Sequence, residues 1–176
     1  MRTREELERI YDEHAACAFS VFRRFSCCES EVRDLLQDWL IKIASERNPL
    51  RDPDNERAYL LKIAYRLAVD WTRRNQTRQK YTEQAAGELS FSTLQTEPDP
   101  DRALMKQSIE ESLNILPKDQ QLVVLFKLRD ELTFAQIGDI LQISPNTAAS
   151  RYRYGIEKMQ EALLPIYEEL SPQTKP

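Results

Sequence analysis

Glycine is scarce in this chain, at 3 of 176 residues, against an average usage of about 7%. Gly87, Gly138 and Gly155 stand too far apart to build a Walker-type phosphate loop or a dinucleotide-binding fingerprint, which need closely spaced glycines where backbone meets phosphate. Glycine-loop nucleotide binding is excluded, and little material remains for tight turns and hairpins. Histidine is scarcer still. His14 alone supplies no multi-histidine metal site, and Cys17, Cys27 and Cys28 lack the C-x-x-C spacing that sets two thiolates on one ion, so neither a metal nor a cofactor is expected. An odd cysteine count with an adjacent pair, and no charged-then-apolar amino terminus, point to a reducing, cytoplasmic setting. No apolar run approaches the ~20 residues that cross a bilayer, so no membrane insertion is expected.

What the chain does have is charge in amphipathic order. With 31% charged and 41% hydrophobic residues, it reads as an all-α protein. The formal net charge of -4 conceals an asymmetry: residues 1–80 carry a net +2, residues 81–98 a net -3, and residues 99–176 a net -3. Within the first part, Arg57, Lys62, Arg66, Arg73, Arg74, Arg78 and Lys80 are opposed by Asp70 alone between positions 57 and 80.

Thr3 followed by Glu6 is a capping box and opens a helix whose apolar face runs from Leu7 through His14 to Phe25. His14 on that face reads as a packed residue rather than a ligand or base. Ser30 is expected to cap a second helix, with Val32, Leu35, Leu36, Trp39, Leu40 and Ile43 inward and Asp34, Gln37 and Asp38 outward. Residues 48–55, with two prolines, read as a loop, and a third helix is expected from about Glu56 to Arg74. From Asn75 to Glu97 the periodicity fades into Gln, Thr, Ser and Glu, as in a flexible linker.

Asp99 with Pro100 restarts helical structure, with Ala103, Leu104, Ile109, Leu113 and Leu116 on one face. Pro117 opens the next helix. Thr133 with Gln136 is a second capping box, and Ser144 with Pro145 pairs an N-cap with the proline position that a helix tolerates best. Only Gln142 and Ile143 separate the two segments, which therefore form a helix-turn-helix. Ala148, Tyr152, Ile156, Met159 and Leu163 should face inward, leaving Asn146, Ala149, Ser150, Arg153 and Tyr154 outside. In this motif the second helix meets base edges near its start. Arg153 suits guanine and Asn146 adenine, and Thr147, Arg151 and Lys158 suit phosphate. An ordinary helical hairpin is the plainer alternative. For the basic third helix the choice lies between phosphate contacts with base stacking on Tyr59, Tyr65 and Trp71, and a solvated face. No nucleophile, base and orienting partner form a set, so no catalytic residue is expected.

These segments resemble bacterial RNA polymerase sigma factors of the compact extracytoplasmic-function type. Residues 34–40 (DLLQDWL) resemble that family's core-polymerase-binding segment. Residues 58–71, followed by Arg73 and Arg74, resemble its promoter-melting segment. Leu116-Pro117, residues 132–138 and residues 143–147 with Ser150-Arg151 resemble the domain that reads the minus-thirty-five element. The resemblance implies two small helical domains, 1–80 and 99–166, with an acidic linker at 81–98, a tail at 167–176 and no catalytic activity. It implies core polymerase contacts at Asp34, Gln37, Asp38 and Leu40. On the minus-ten side it implies DNA contacts at Asn48, Asn55, Lys62, Arg66, Arg73 and Arg74. On the minus-thirty-five side these are Asn146, Thr147, Ala149, Ser150, Arg151, Arg153 and Tyr154. Core RNA polymerase and promoter DNA are the implied partners, with room for an anti-sigma factor. A polymerase-independent helix-turn-helix regulator explains residues 117–164 and leaves the amino-terminal pattern without a reason. Gln142 stands where the family often places a turn glycine, and Ala149 where it often places a basic residue.

Overall fold

The computed structural model describes residues 2–26, 28–46, 53–79 and 100–170, and these fold into seven α-helices with no strand among them. α1 is Arg4–Arg23, α2 Glu29–Ser45, α3 Pro53–Gln79, α4 Pro100–Asn114, α5 Lys118–Leu128, α6 Phe134–Leu141 and α7 Pro145–Leu170.

α1 begins at the expected capping box: the Glu6 amide donates to Thr3 Oγ1 at 3.2 Å and the Thr3 amide to Glu6 Oε2 at 2.9 Å. α2 starts earlier than expected, with Cys28 and not Ser30 at the N-cap. Ser26 explains the shift. Its hydroxyl accepts from the Cys28 amide at 3.0 Å and also pairs with the Glu31 carboxylate, which places Ser30 inside the first turn. α3 likewise begins before Glu56, because Pro53 takes the first helical position, where its missing amide costs nothing. Asn55 is therefore helical rather than in a loop, while Asn48 lies outside the described residues. α3 runs past Arg74 to Gln79, so residues 75–79, expected to begin the linker, are helical instead; the rest of the expected linker lies outside the described residues.

α4 begins at Pro100 as expected, but its buried side differs from the expected apolar face. Ser108, Ser112 and Leu113 are buried, and Leu104 and Ile109 are largely exposed. The serine hydroxyls bond back to the carbonyls of Leu104 (2.9 Å) and Ile109 (2.8 Å), so these small polar side chains are satisfied where α4 packs on α7. α7 continues through Pro165 to Leu170, into the stretch expected as a tail from 167.

α1, α2 and α3 pack together, α5, α6 and α4 pack around α7, and α3 also lies against α6. One buried apolar cluster consequently includes Ile10, Phe22, Trp39, Ile43 and Leu60 from the first group and Leu122, Phe126, Ile137 and Ile140 from the second. The fully buried Trp39 indole N–H donates to the Leu60 carbonyl at 3.0 Å, joining α2 to α3 and satisfying the ring's one polar atom. Leu60, Leu61, Ile63, Ala64 and Ala68 of α3 are all buried, since α3 has helices on several sides.

Candidate nucleic-acid and protein interfaces

The helix-turn-helix is assembled by contacts within a few residues of one another. Thr133 and Gln136 form the capping box at the start of α6: the Gln136 amide donates to Thr133 Oγ1 at 3.2 Å, and the Thr133 amide to Gln136 Oε1 at 2.8 Å. α6 stops at Gln142, which takes the left-handed conformation with φ 57°. Its side-chain amide donates to the Asp139 carbonyl at 2.6 Å, and the Ile143 amide reaches the Gly138 carbonyl at 3.0 Å. Ser144 caps α7, accepting from the Thr147 amide at 3.0 Å.

This turn presents the start of α7 to solvent. Asn146, Thr147, Arg153 and Tyr154 are exposed, and Ala148 is fully buried. The Thr147 hydroxyl is engaged with Ser144 Oγ at 2.8 Å. Ala149 and Ser150, expected outside, are half-buried. Arg151 is half-buried too, and pairs with Asp119 of α5 at 3.1 Å.

On α3 the cations separate into two groups. Arg66, Arg73 and Arg74 are exposed, whereas Lys62, expected as a DNA contact, is only 22% exposed and holds Asp139 of α6 at 2.5 Å. Arg73 lies 3.9 Å from the Asp70 carboxylate, and Arg74 Nε donates to the Asp70 carbonyl at 3.3 Å. The interleaved aromatics face the protein more than solvent. Tyr59 donates to the Glu46 carboxylate, and Tyr65 meets Phe25 edge-on with ring centroids 6.0 Å apart.

On α2, Asp34, Gln37 and Asp38 share an exposed face, and Leu40 is half-buried against the core. Ile41, absent from the sequence reading, is 67% exposed beside them, a full turn from Gln37 and Asp38. Its apolar character had suggested nothing, because it falls between the core positions Trp39 and Ile43. Asp139, the partner of Lys62, likewise stands out from no pattern in the sequence.

Between the two helix groups lies a polar knot. Asp130, at the end of α5, is buried, with one carboxylate oxygen lacking a hydrogen-bond partner. Burial raises its carboxyl above the ordinary range, with the Cys17 thiol as a hydrogen-bonding neighbour. Burial and that same bond push the Cys17 thiol up to about 11. Buried His14 is lowered by loss of solvation. Cys28 behaves oppositely: it is exposed at the start of α2, and its contact with Ser30 and the nearby amides of Glu31 and Ser30 lower its thiol. Among the described residues no three His, Cys, Asp or Glu side chains converge as a metal site, and no helix is long and apolar enough to cross a membrane.

Comparison with known proteins adds the identity of the two groups. Residues 10–78 match the family model of sigma-70 region 2, and residues 106–159 match that of sigma-70 region 4; together these stretches span more than two thirds of the chain. The RNA polymerase sigma factor YlaC of Bacillus subtilis is 26% identical over 164 residues, covering 90% of this chain and 94% of YlaC. The ECF RNA polymerase sigma factor SigX of the same organism is 20% identical over 173 residues, covering 94% of this chain and 88% of SigX. Among solved structures, the sigma factor RpoE of Bartonella quintana, crystallised with the anti-sigma factor NepR, shares the fold with a TM-score of 0.72 at 16% identity, covering 91% of this chain and 98% of RpoE. CnrH, solved with the cytosolic domain of CnrY, gives a TM-score of 0.58 at 17% identity, covering 96% of this chain and 92% of CnrH. The all-α architecture, the capped helix-turn-helix and the order of the two matched regions agree, and the chain belongs to the sigma-70 family as a sigma factor of the extracytoplasmic-function type, with a role in transcription initiation.

Proposed function

We propose that this chain is a dissociable, non-catalytic specificity subunit that binds core RNA polymerase, recruits it to promoters with two elements and assists DNA melting. The exposed face of α2, with Asp34, Gln37 and Asp38, is the core-polymerase contact, and Leu40 sets that face against the helical core. α3 holds the opened minus-ten strand through Lys62, Arg66, Arg73 and Arg74, with Asn48 and Asn55 near its start contributing to capture of an unstacked base. α7 reads the minus-thirty-five element in the major groove. Arg153 and Asn146 meet base edges there; Thr147, Ala149, Ser150, Arg151 and Tyr154 line the contact and hold phosphates. Residues 1–80 and 99–166 serve as the two working domains, 81–98 as their acidic connection and 167–176 as a tail. The protein acts in the cytoplasm. An anti-sigma partner, such as the one bound by RpoE, is a further expected ligand.

The observation that carries this reading is the presence, in one chain, of an exposed polar face on α2, a basic α3 and a helix-turn-helix whose α7 opens with Asn146, Arg153 and Tyr154 in solvent. The test is run-off transcription from randomised promoter templates with purified chain and core polymerase. Specific start sites that appear only with both proteins are the expected result. Failure to associate with core at low salt overturns the reading.

A further inference from the structure

Bonds from α1 and α2 converge on the start of α3. Glu56 is buried there and accepts from Arg9 of α1 at 2.8 Å. Leu60 offers its carbonyl to the Trp39 indole of α2 at 3.0 Å. Between these two positions, Tyr59 donates its hydroxyl to the carboxylate of Glu46, the residue that closes α2. The partners of this bond stand 13 positions apart, on either side of residues 47–52.

Glu46 occupies a place that electrostatics alone disfavours. A carboxylate at a helix C-terminus meets the negative end of the macrodipole, and one beside a helix that holds a nucleic-acid strand repels its phosphates. Its side chain is nevertheless only 24% exposed, with Lys42 Nζ 4.0 Å from one oxygen and the Tyr59 hydroxyl on the other. The end of α2 behind it is fixed as well: the Ile43 carbonyl accepts from Arg2 Nε at 3.2 Å, and the Lys42 carbonyl from the Ser45 hydroxyl at 2.8 Å. Tyr59 is half-buried and packs its ring against the core cluster. With its ring packed and its hydroxyl engaged, it is placed to orient the helix and not to stack on a base. A hydrogen bond to a charged acceptor is short and directional, which suits that task.

Resting on the reading of α3 as the helix that captures and holds the opened minus-ten strand, we propose that Glu46 and Tyr59 are a positioning pair for promoter melting. Their bond fixes the amino-terminal end of α3 against the end of α2, so that an unstacking base meets a site already in order. The pair acts through the placement of α3 and not by touching DNA. Ordering the site beforehand removes an entropy cost from the opening step, which is the step where base stacking is given up. The tie therefore matters where the duplex must be opened and not where it is already open.

The test uses the full chain with core polymerase on the strongest promoter recovered from the randomised library. The template is supplied at saturation in two forms, as an intact duplex and with a non-complementary, pre-opened minus-ten region. Tyr59→Phe and Glu46→Ala are each expected to slow initiation on the duplex about 3–10-fold, or roughly 0.6–1.4 kcal/mol at tenfold per 1.4 kcal/mol. On the pre-opened template both should stay within about twofold of wild type, and on the duplex the double variant should be no slower than the slower single one. Glu46→Gln, whose side-chain carbonyl still accepts from the Tyr59 hydroxyl, should keep at least about half of the wild-type rate. Equal losses on both templates, additive losses in the double variant, no loss in either single variant, or a Glu46→Gln loss as large as that of Glu46→Ala overturns the positioning role. In each of those cases Arg73→Ala, measured alongside, decides the underlying reading. A loss on both templates keeps α3 as the strand-holding helix, and no loss removes that reading as well.

Discussion

A β-carbon placed on Gly138 would stand 2.7 Å from the carbonyl oxygen of Ile143, closer than real β-carbons approach backbone. The missing side chain is what lets α6 meet the turn into α7. Gly138→Ala therefore sets a helix-propensity gain of up to ~1 kcal/mol against an overpacking cost of typically ~1–3 kcal/mol. Backbone cannot swing aside as a flexible side chain does, so the cost wins. Urea unfolding is expected to show a net loss of about 1–2 kcal/mol, and an unchanged or raised midpoint refutes the close approach.

Gln142 is the reverse case. Its φ of 57° is left-handed, a conformation that costs a residue with a β-carbon roughly 1–2 kcal/mol. Gln142→Gly removes that cost, adds about 0.5–1 kcal/mol of chain entropy loss and gives up the side-chain bond to the Asp139 carbonyl. The net expectation is a small stabilisation, up to about 1 kcal/mol, read as a higher thermal midpoint. A lower midpoint means that the side-chain bond outweighs the strain.

Arg153 and Arg73 separate sequence reading from strand holding. Arg153→Ala should alter base preference at particular upstream positions in transcription from a promoter library, with mismatches there costing less than the usual ~1–3 kcal/mol. Arg73→Ala should weaken initiation on all promoters and make its salt dependence shallower. Indistinguishable effects of the two changes across the library refute this division of labour.

The thiols should react in a set order. Cys28 is exposed and its thiol is lowered, chiefly by the contact with Ser30, so alkylation there is expected to reach half its limiting rate below the pH usual for cysteine. Cys17 is half-buried and pushed up to about 11, and should stay unmodified at pH 8 while the two helix groups stay packed. Tandem mass spectrometry of iodoacetamide-treated protein assigns each site. Modification of Cys17 as fast as Cys28 contradicts the packing around Asp130.

Acid should weaken the fold through His14. Burial lowers its imidazole below the ordinary 6.5, with the carboxylates of Glu56 and Glu13 pulling it up and Arg57 and Arg9 pushing it down. A depressed folded-state value means stability that is present above 6.5 and lost as pH falls towards and through the folded value. Asp130, raised by burial, acts in the opposite direction, gaining stability as pH falls. The difference between wild type and His14→Gln isolates the histidine: the thermal midpoint of wild type should drop more between pH 7 and pH 5.5. Parallel curves for the two proteins would show that His14 titrates alike folded and unfolded.

The amino-acid sequence by itself determined the helical class, both capping boxes and the cap and turn of the helix-turn-helix. All of these rest on contacts that close within about four residues: Thr3 with Glu6, Thr133 with Gln136, Ser144 with Thr147. It also carried enough order in its motifs for the family to be recognised. Where it erred locally, a neighbouring group had intervened, as Ser26 did in moving the start of α2 and Pro53 in extending α3. Only the tertiary structure decided that Lys62 is held by Asp139, that Arg24 reaches α4, that Ser108 and Ser112 are buried while Leu104 and Ile109 are not, and that Cys17, His14 and Asp130 share one polar knot. Periodicity ranks the faces of a single helix against solvent. It carries no information about which second helix, remote in the chain, will cover a charged face, because that choice depends on complementary shape and charge meeting in three dimensions.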